Sequence, residues 1–514
     1  MYDRRGVLRG TAALGLGSMY LGGVAWSQDR SPVRMILPSA THDTLAIKVL
    51  LDTPPATAPR LTIDEREVRA QRLDQDGYAW GFVQSGLAAG RRYQLALSGE
   101  NGVSLRAPWS LATLPPLDAT PDHFRVLIFT CAGGDEAAGP DGYLPLAARH
   151  ALFDRGLSFQ PDLAIANGDH TYWDQWTGLK YVGSAEKHAR TAELYHRIAW
   201  LDEDQRFDSA QNRRSLRTVI ARQIAALYED RFASTPMLFI SDDHDYFEND
   251  NAGPWGYSFP PRPFTLGLWQ RTAAMAHPYA LGLPRLPRYH AETVETLRIG
   301  KLLEIATYDC RRAWSTGHGG VLFPDVEAFL VDRLKRSDAL HYIHAPSNPM
   351  GWSKGALGEW YADGPPGATP QGNDKGYWPV GWFEQHQRLV KALTGQRGRA
   401  AVSISGDFHM SGAKAVTRSG DLDLSASPLH TIVPGTISTG KTGFPSSARG
   451  AFPFTPKALE ARDLAATQER NGFTIVDVTP SAIDVKLFQW RPPEPVEAIA
   501  SLQPAASFVI PRPA

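Results

Sequence analysis

Residues 163–174 read Leu163-Ala164-Ile165-Ala166-Asn167-Gly168-Asp169-His170-Thr171-Tyr172-Trp173-Asp174. A short apolar run bounded by polar residues predicts a buried strand. The chain then turns at Gly168, where no side chain resists the bend. Asp169 is thereby projected from the strand end. One such exit is ordinary, but the same arrangement recurs along this sequence, and the recurrence decides the fold. Phe124–Phe129 is apolar apart from one arginine and runs into Thr130-Cys131-Ala132-Gly133-Gly134-Asp135. Met237–Ile240 runs into Ser241-Asp242-Asp243-His244-Asp245, and Val402–Ser405 into Gly406-Asp407-Phe408-His409. Polar clusters on strand exits are where α/β sheets keep their active sites.

Outward from these runs the pattern alternates. Leu144–Arg155, Asp325–Arg336 and Phe383–Leu393 are predicted helices, and the charged, Ala- and Leu-rich stretch Thr191–Arg231 is predicted mostly helical. Leu302–Ala306 and Phe473–Val478 are further predicted strands. Strands alternating with helices predict an α/β domain over 119–514. Pro- and Gly-rich stretches at 253–263, 282–288 and 364–373 are predicted surface loops.

Residues 28–118 differ in character. Short β-type runs at Arg34–Leu37, Thr44–Leu51, Tyr78–Val83 and Arg92–Leu97 are separated by turn-rich segments such as Asp52–Pro59. That spacing predicts an all-β sandwich. The turn leading to Tyr93 resembles fibronectin-type and immunoglobulin-like modules, and Leu114-Pro115-Pro116 reads as a linker.

The composition narrows the function. In 514 residues, Lys and Arg number 53 and Asp and Glu 54. This balance lacks the basic excess expected of a nucleic-acid binder. Two cysteines exclude a disulfide framework and a zinc-finger type of site. Beyond the first 27 residues no apolar run is long enough to span a bilayer.

Residues 1–27 read as an address. Arg4-Arg5 and Arg9 precede a Gly- and Ala-rich apolar stretch that ends at Ala25-Trp26-Ser27. The paired arginines resemble a twin-arginine export signal cleaved after Ser27. The expected destination is the periplasm or the medium, and the expected partner is the twin-arginine export machinery. That route carries folded proteins, often with a metal or cofactor already loaded.

Taken together, a strand-exit cysteine, Gly-Asp-x-x-Tyr, Asp-Asp-His and Gly-Asp-x-His match a metallophosphoesterase layout. Carboxylates gathered in one buried place without cations are costly. In this order the motifs resemble those of the alkaline phosphatase D-like (PhoD-like) metallophosphatases. These are a branch of the calcineurin-like phosphoesterases with an N-terminal immunoglobulin-like domain. The resemblance spans essentially the whole chain after residue 27. It includes Asp309-Cys310-Arg311, the Trp-rich 374–382 and the closing strand around Gly472–Thr479. It implies an α/β metallophosphoesterase β-sandwich flanked by helices, and hydrolysis of phosphomonoesters or phosphodiesters. A diester-specific enzyme, of phospholipase D or teichoic-acid type, is the alternative within the class. A non-catalytic binding protein on the same fold is the alternative outside it.

The resemblance also implies roles. Asp169 resembles a carboxylate bridging two metals. Cys131, Tyr172 and His409 resemble the other ligands of one ion, a donor set suited to iron(III). Asp243 and Asp407 join Asp169 at a second site suited to calcium or another oxygen-loving divalent ion. His244 is the candidate to protonate the leaving group or stabilise the transition state.

Other readings of these residues stay open. His244 also fits a core histidine bonded to Asp242 or Asp245. Cys131 also fits a disulfide with Cys310, which otherwise reads as a small buried apolar residue. Arg311 and Arg312 fit either phosphate binding or a structural ion pair. His170 fits a residue that orients the site or touches substrate. His341 and His344 follow a possible strand and fit pocket walls. Tyr377, Trp378, Trp382 and Phe383 fit packing or a substrate platform, with Lys375 beside them.

Overall fold

The computed structural model describes residues 31–136, 143–173, 193–246, 263–278, 283–313, 320–352, 382–440, 446 and 452–514. The export segment 1–27 lies outside the described residues, as do Lys375, Tyr377 and Trp378.

The N-terminal part is all β among these residues. Val33–Ala40, Leu45–Leu51, Ala79–Gln84 and Ala70–Arg72 form one antiparallel sheet in that order. Arg66–Val68, Arg60–Ile63, Arg92–Ser98 and Trp109–Ala112 form a second. Alternate residues such as Ile47, Val49, Leu61, Leu95 and Leu111 share one core cluster, as two facing sheets require.

The rest is built on two mixed sheets. The first runs Met237–Ile240, Leu163–Asn167, Phe124–Phe129, Asn471–Thr479, Ala482–Trp490, Pro504–Pro511. Its first three strands are parallel and the others antiparallel. The second has eight strands. Its centre is the parallel set Leu303–Tyr308, His341–Pro346, Ala401–Ile404 and Leu429–Pro434. Strand side chains alternate between faces, and the burial follows that parity. Val126, Ile128, Leu163 and Ile165 meet Ile305, Ile343, Val402 and Ile404 between the sheets. Leu127, Phe129, Ala164 and Ala166 face outward onto Leu152 and Phe153 of helix Leu146–Leu157. On the other side Ala306, Tyr308 and Ala401 lie under helices Pro324–Arg336 and Trp382–Thr394. The layering is therefore helix, sheet, sheet, helix.

Parallel strands bring their carboxyl ends to one edge, and that edge carries the four polar clusters. The two sheets are tied there by buried side chains, Asn167 and Thr130 among them. Asn167 donates from Nδ2 to the carbonyls of Pro346 at 3.1 Å and Ile404 at 3.2 Å.

Among its described residues the stretch 191–231 is mostly helical, as expected, with residues 193–198 and 210–228 helical and a break between them. Helix Ala210–Ile220 begins only after Ser209, whose hydroxyl accepts the Asn212 N–H. Before it lies a turn fixed by Asn212, which accepts the Asp202 N–H at 2.7 Å and donates to the Asp202 carbonyl at 2.9 Å. Side chains that satisfy turn backbone in this way stop a helix from extending. Pro504–Pro511 pairs with Ala482–Trp490 at the edge of the sheet opposite Met237–Ile240.

Candidate metal centre

Each candidate ligand leaves a strand through a tight turn. Cys131, Asp169 and Asp407 all hold left-handed backbone, with φ of 49°, 58° and 66°. Each such non-glycine residue costs about 1 kcal/mol or more, and such strain gathers at functional sites. The turns are also too close for side chains at their glycines. A Cβ on Gly406 would stand 2.1 Å from the Asn167 carbonyl oxygen, and one on Gly168 2.7 Å from Cβ of Asp242.

The fold brings the residues together in three overlapping groups. Donor atoms of Cys131, Asp169 and His409 lie within 4.8 Å of one another. So do those of Asp169, Asp243 and His244, and those of Asp169, Asp242, Asp243 and Asp407. Asp169 is common to all three. Tyr172 joins the first group through its hydroxyl, which donates to Asp169 Oδ2 at 3.0 Å and lies 3.3 Å from His409 Nε2. The ring of His244 lies 4.1 Å from that of Tyr172, centroid to centroid.

The electrostatics are those of crowded acids. Burial pushes the Asp169 carboxyl up to about 7; His244 pulls it down, and the charges of Asp243 and Asp407 push it further up. Burial also raises the Cys131 thiol and the Tyr172 phenol, with Asp169 as the next cause in each. Asp242 is raised by burial and lowered by Arg311. A bound cation reverses this logic by favouring the anionic form of every donor. The residues fit such a group. Asp169 Oδ1 is buried and accepts no hydrogen bond, and thiol, phenol, imidazole and carboxylates together make a strongly anionic donor set.

Arg311 and His170, the expected substrate contacts, both have partners within the chain. Arg311 is fully buried, with Nε 2.7 Å from Asp242 Oδ1 and Nη2 3.2 Å from Asp407 Oδ2. Of its two expected readings, the structure shows the ion pair. His170 turns away from the cluster. Its ring stacks on Phe239 at 4.0 Å, and Nε2 bonds the Ile240 carbonyl at 2.9 Å. Arg312 lies over the rings of Trp269 and Tyr289 and pairs with Glu292. His341 reaches the Thr479 carbonyl, and His344 is buried beside Tyr308 and Tyr342. Cys131 and Cys310 are both free thiols.

Sequence reasoning gave Asp242 and Asp245 no role of their own. Asp242 belongs to the acidic group, held by Arg311. Asp245 accepts four backbone N–H groups, from Asp169, His170, Thr171 and Asp242, at 2.8–3.0 Å. One carboxylate thus binds two ligand-bearing turns together. Its place next to His244 was the available signal. Asn348, which donates to Asp407 Oδ2 at 3.3 Å, had none.

No family model matches the sequence, and no curated protein does. Solved structures do. PhoD superposes with a TM-score of 0.60 over 95% of this chain and 92% of its own, at 14% identity. A purple acid phosphatase from seeds of yellow lupin (Lupinus luteus) superposes with a TM-score of 0.53, also at 14% identity, over 93% of this chain and 74% of its own. At such identity the likeness is one of fold. The protein therefore has the fold seen in PhoD and in that purple acid phosphatase.

Proposed function

We propose that the chain is an exported, metal-dependent phosphoester hydrolase acting on phosphomonoesters, phosphodiesters or both. The observation that carries this reading is Asp169, a buried carboxylate shared by three overlapping donor groups drawn from separate strand exits. The fold supports it, as does the chemistry of each donor. The export part rests on Arg4-Arg5 and the apolar stretch behind them. It makes the twin-arginine machinery the partner, and the periplasm or medium the destination. The division into an immunoglobulin-like 28–118 and a catalytic 119–514 is supported by the two antiparallel sheets ending at Ala112.

In this reading Cys131, Asp169, Tyr172 and His409 hold iron(III), and Asp169, Asp243 and Asp407 hold calcium or a similar divalent ion. Such a pair supplies charge neutralisation for phosphate oxygens and an acidified water. The chain's own residues do the rest. Asp245 fixes Asp169 and Asp242 through their backbone N–H groups. Asn348 and Arg311 orient the Asp407 carboxylate. The Tyr172 hydroxyl donates to Asp169 Oδ2 in the metal-free chain, a proton that binding of iron(III) would displace. His244 is half-buried beside Tyr172 and next to Asp243, so it is the residue assigned to carry a proton to the leaving-group oxygen.

The test uses the exported protein, with its metal content, visible spectrum and activity read on one sample. The substrates are an aryl phosphate and a bis-aryl phosphate. Bound iron with a broad charge-transfer band, and hydrolysis of at least one ester, is the expected result. A colourless, iron-free protein that hydrolyses neither ester favours a binding protein on a phosphatase fold. Preference for the bis-aryl ester favours the diester-specific alternative.

A further inference from the structure

The segment Ala221–Ala225 is a π-helical turn between helices Ala210–Ile220 and Ala226–Tyr228. Such turns re-aim side chains relative to the helix around them, often at functional sites. Here two consecutive side chains meet the metal-centre loops. Arg222 pairs with Asp135 on the loop that begins at Cys131. Gln223 is fully buried and reaches two loops at once. Its Oε1 accepts the Gly134 N–H at 2.9 Å and the Tyr172 N–H at 2.7 Å. Its Nε2 donates to the Tyr172 carbonyl at 3.2 Å. Two N–H donors on one end fix which end of the amide is oxygen.

One side chain therefore grips both backbone polar groups of Tyr172 and the loop carrying Cys131. Backbone bonds from Cys131 N–H to the Gly168 carbonyl at 3.1 Å and from Gly133 N–H to the Asp169 carbonyl at 2.9 Å join the same two loops at their start, and Gln223 adds the side-chain link that reaches Tyr172 itself. We propose that Gln223 is a positioning residue, setting how far the Cys131 thiol stands from the Tyr172 phenol and so how tightly that donor set holds its cation. The inference rests on the metal-centre reading above.

The test compares Gln223→Leu, Gln223→Glu and Gln223→Asn in the full chain. Leu keeps the bulk and removes all three bonds. Glu keeps the acceptors for both N–H groups. Asn keeps the amide but is one methylene too short. Two quantities are measured: iron affinity against calcium affinity, and deuterium exchange at the Gly134 and Tyr172 amides in metal-free protein. Gln223→Leu is expected to weaken iron binding about 10- to 100-fold, the usual effect of removing a group that orients a ligand. Calcium binding is expected to stay near wild type, and both amides to exchange faster. Gln223→Glu is expected to restore affinity and protection. Should the Leu variant fail to fold, Glu against Asn makes the same comparison. A lower melting temperature with unchanged iron affinity and unchanged protection overturns the proposal and leaves Gln223 a packing residue. A wild-type protein that takes up no cation overturns the metal-centre reading instead; faster exchange at both amides in Gln223→Leu then still upholds the clamp, and unchanged exchange overturns it.

Discussion

The Tyr172 hydroxyl donates to Asp169 Oδ2 at 3.0 Å, although a turn of chain separates the two residues and both are buried. This bond joins the carboxylate shared by all the donor groups to the one phenol in the cluster. It leaves Asp169 Oδ1 without a hydrogen bond.

Asp169→Asn tests that carboxylate. The amide removes a buried carboxyl that Asp243 and Asp407 crowd in metal-free protein. The metal-free melting temperature is therefore expected to match or exceed wild type in calorimetry. Phosphoester hydrolysis is expected to fall about 10³-fold or more, since charge stabilisation at the reacting centre is lost. Full activity would sink the bridging role.

Tyr172→Phe removes the phenol and little else. The visible band of iron-loaded protein is expected to vanish, and iron affinity to fall, while calcium is retained. A band that survives assigns the colour to Cys131.

Arg311→Met leaves Asp242 and Asp407 without their guanidinium. Breaking one side of a buried ion pair costs about 3–5 kcal/mol, to be read by urea unfolding. Adding Asp242→Asn removes the charge that Arg311 faces most closely and is expected to recover part of that loss. A double variant no more stable than the single one refutes the pairing as the cause.

Asp477 reports on acid stability away from the site. It lies 2.7 Å from His123 Nε2, 2.7 Å from Arg125 Nε and 2.9 Å from Lys486 Nζ. Burial raises its pKa, but the bonds from Arg125, Lys486 and His123 outweigh that and hold it at about 2. A depressed carboxyl stabilises the fold above its unfolded value of about 4 and loses that contribution as pH falls towards 2. Solvent around its partners screens the pairs, so Asp477→Asn is expected to cost only about 1 kcal/mol at pH 7. The gap from wild type should close between about pH 4 and pH 2 in unfolding curves.

Gly406→Ala tests the contact between sheets. Its Cβ would meet the Asn167 carbonyl at 2.1 Å and Thr130 Oγ1 at 2.7 Å. Overpacking of this kind costs about 1–3 kcal/mol, and the forced shift moves Asp407 away from Asp169. Reduced stability with weaker calcium binding is the expected pair of results in calorimetry and metal titration.

Some elements were legible in the sequence and others were not, for physical reasons. Phe124–Phe129 and Leu163–Asn167 are covered on both faces, so they read as apolar runs. Leu459–Gln468, with sequence LEARDLAATQ, lies largely open to solvent and carries three charged residues within a strand. It gave no strand signal. Pro504–Pro511 is an exposed edge strand and was equally silent. The π-helical turn at Ala221–Ala225 has no sequence signature, so Gln223 was invisible.

By itself the sequence determined which donors exist and that each leaves a strand, because apolar runs and the turns after them are local properties. It thereby determined the α/β class and the types of residue at the centre. Only the tertiary structure decided which donors share a carboxylate, that Arg311 is spent on Asp242 and Asp407, and that His170 faces away from the cluster. Those facts depend on the register between two sheets, held where Asn167 reaches Pro346 and Ile404. Contacts between residues so far apart in the chain are fixed by packing, and no local pattern encodes them.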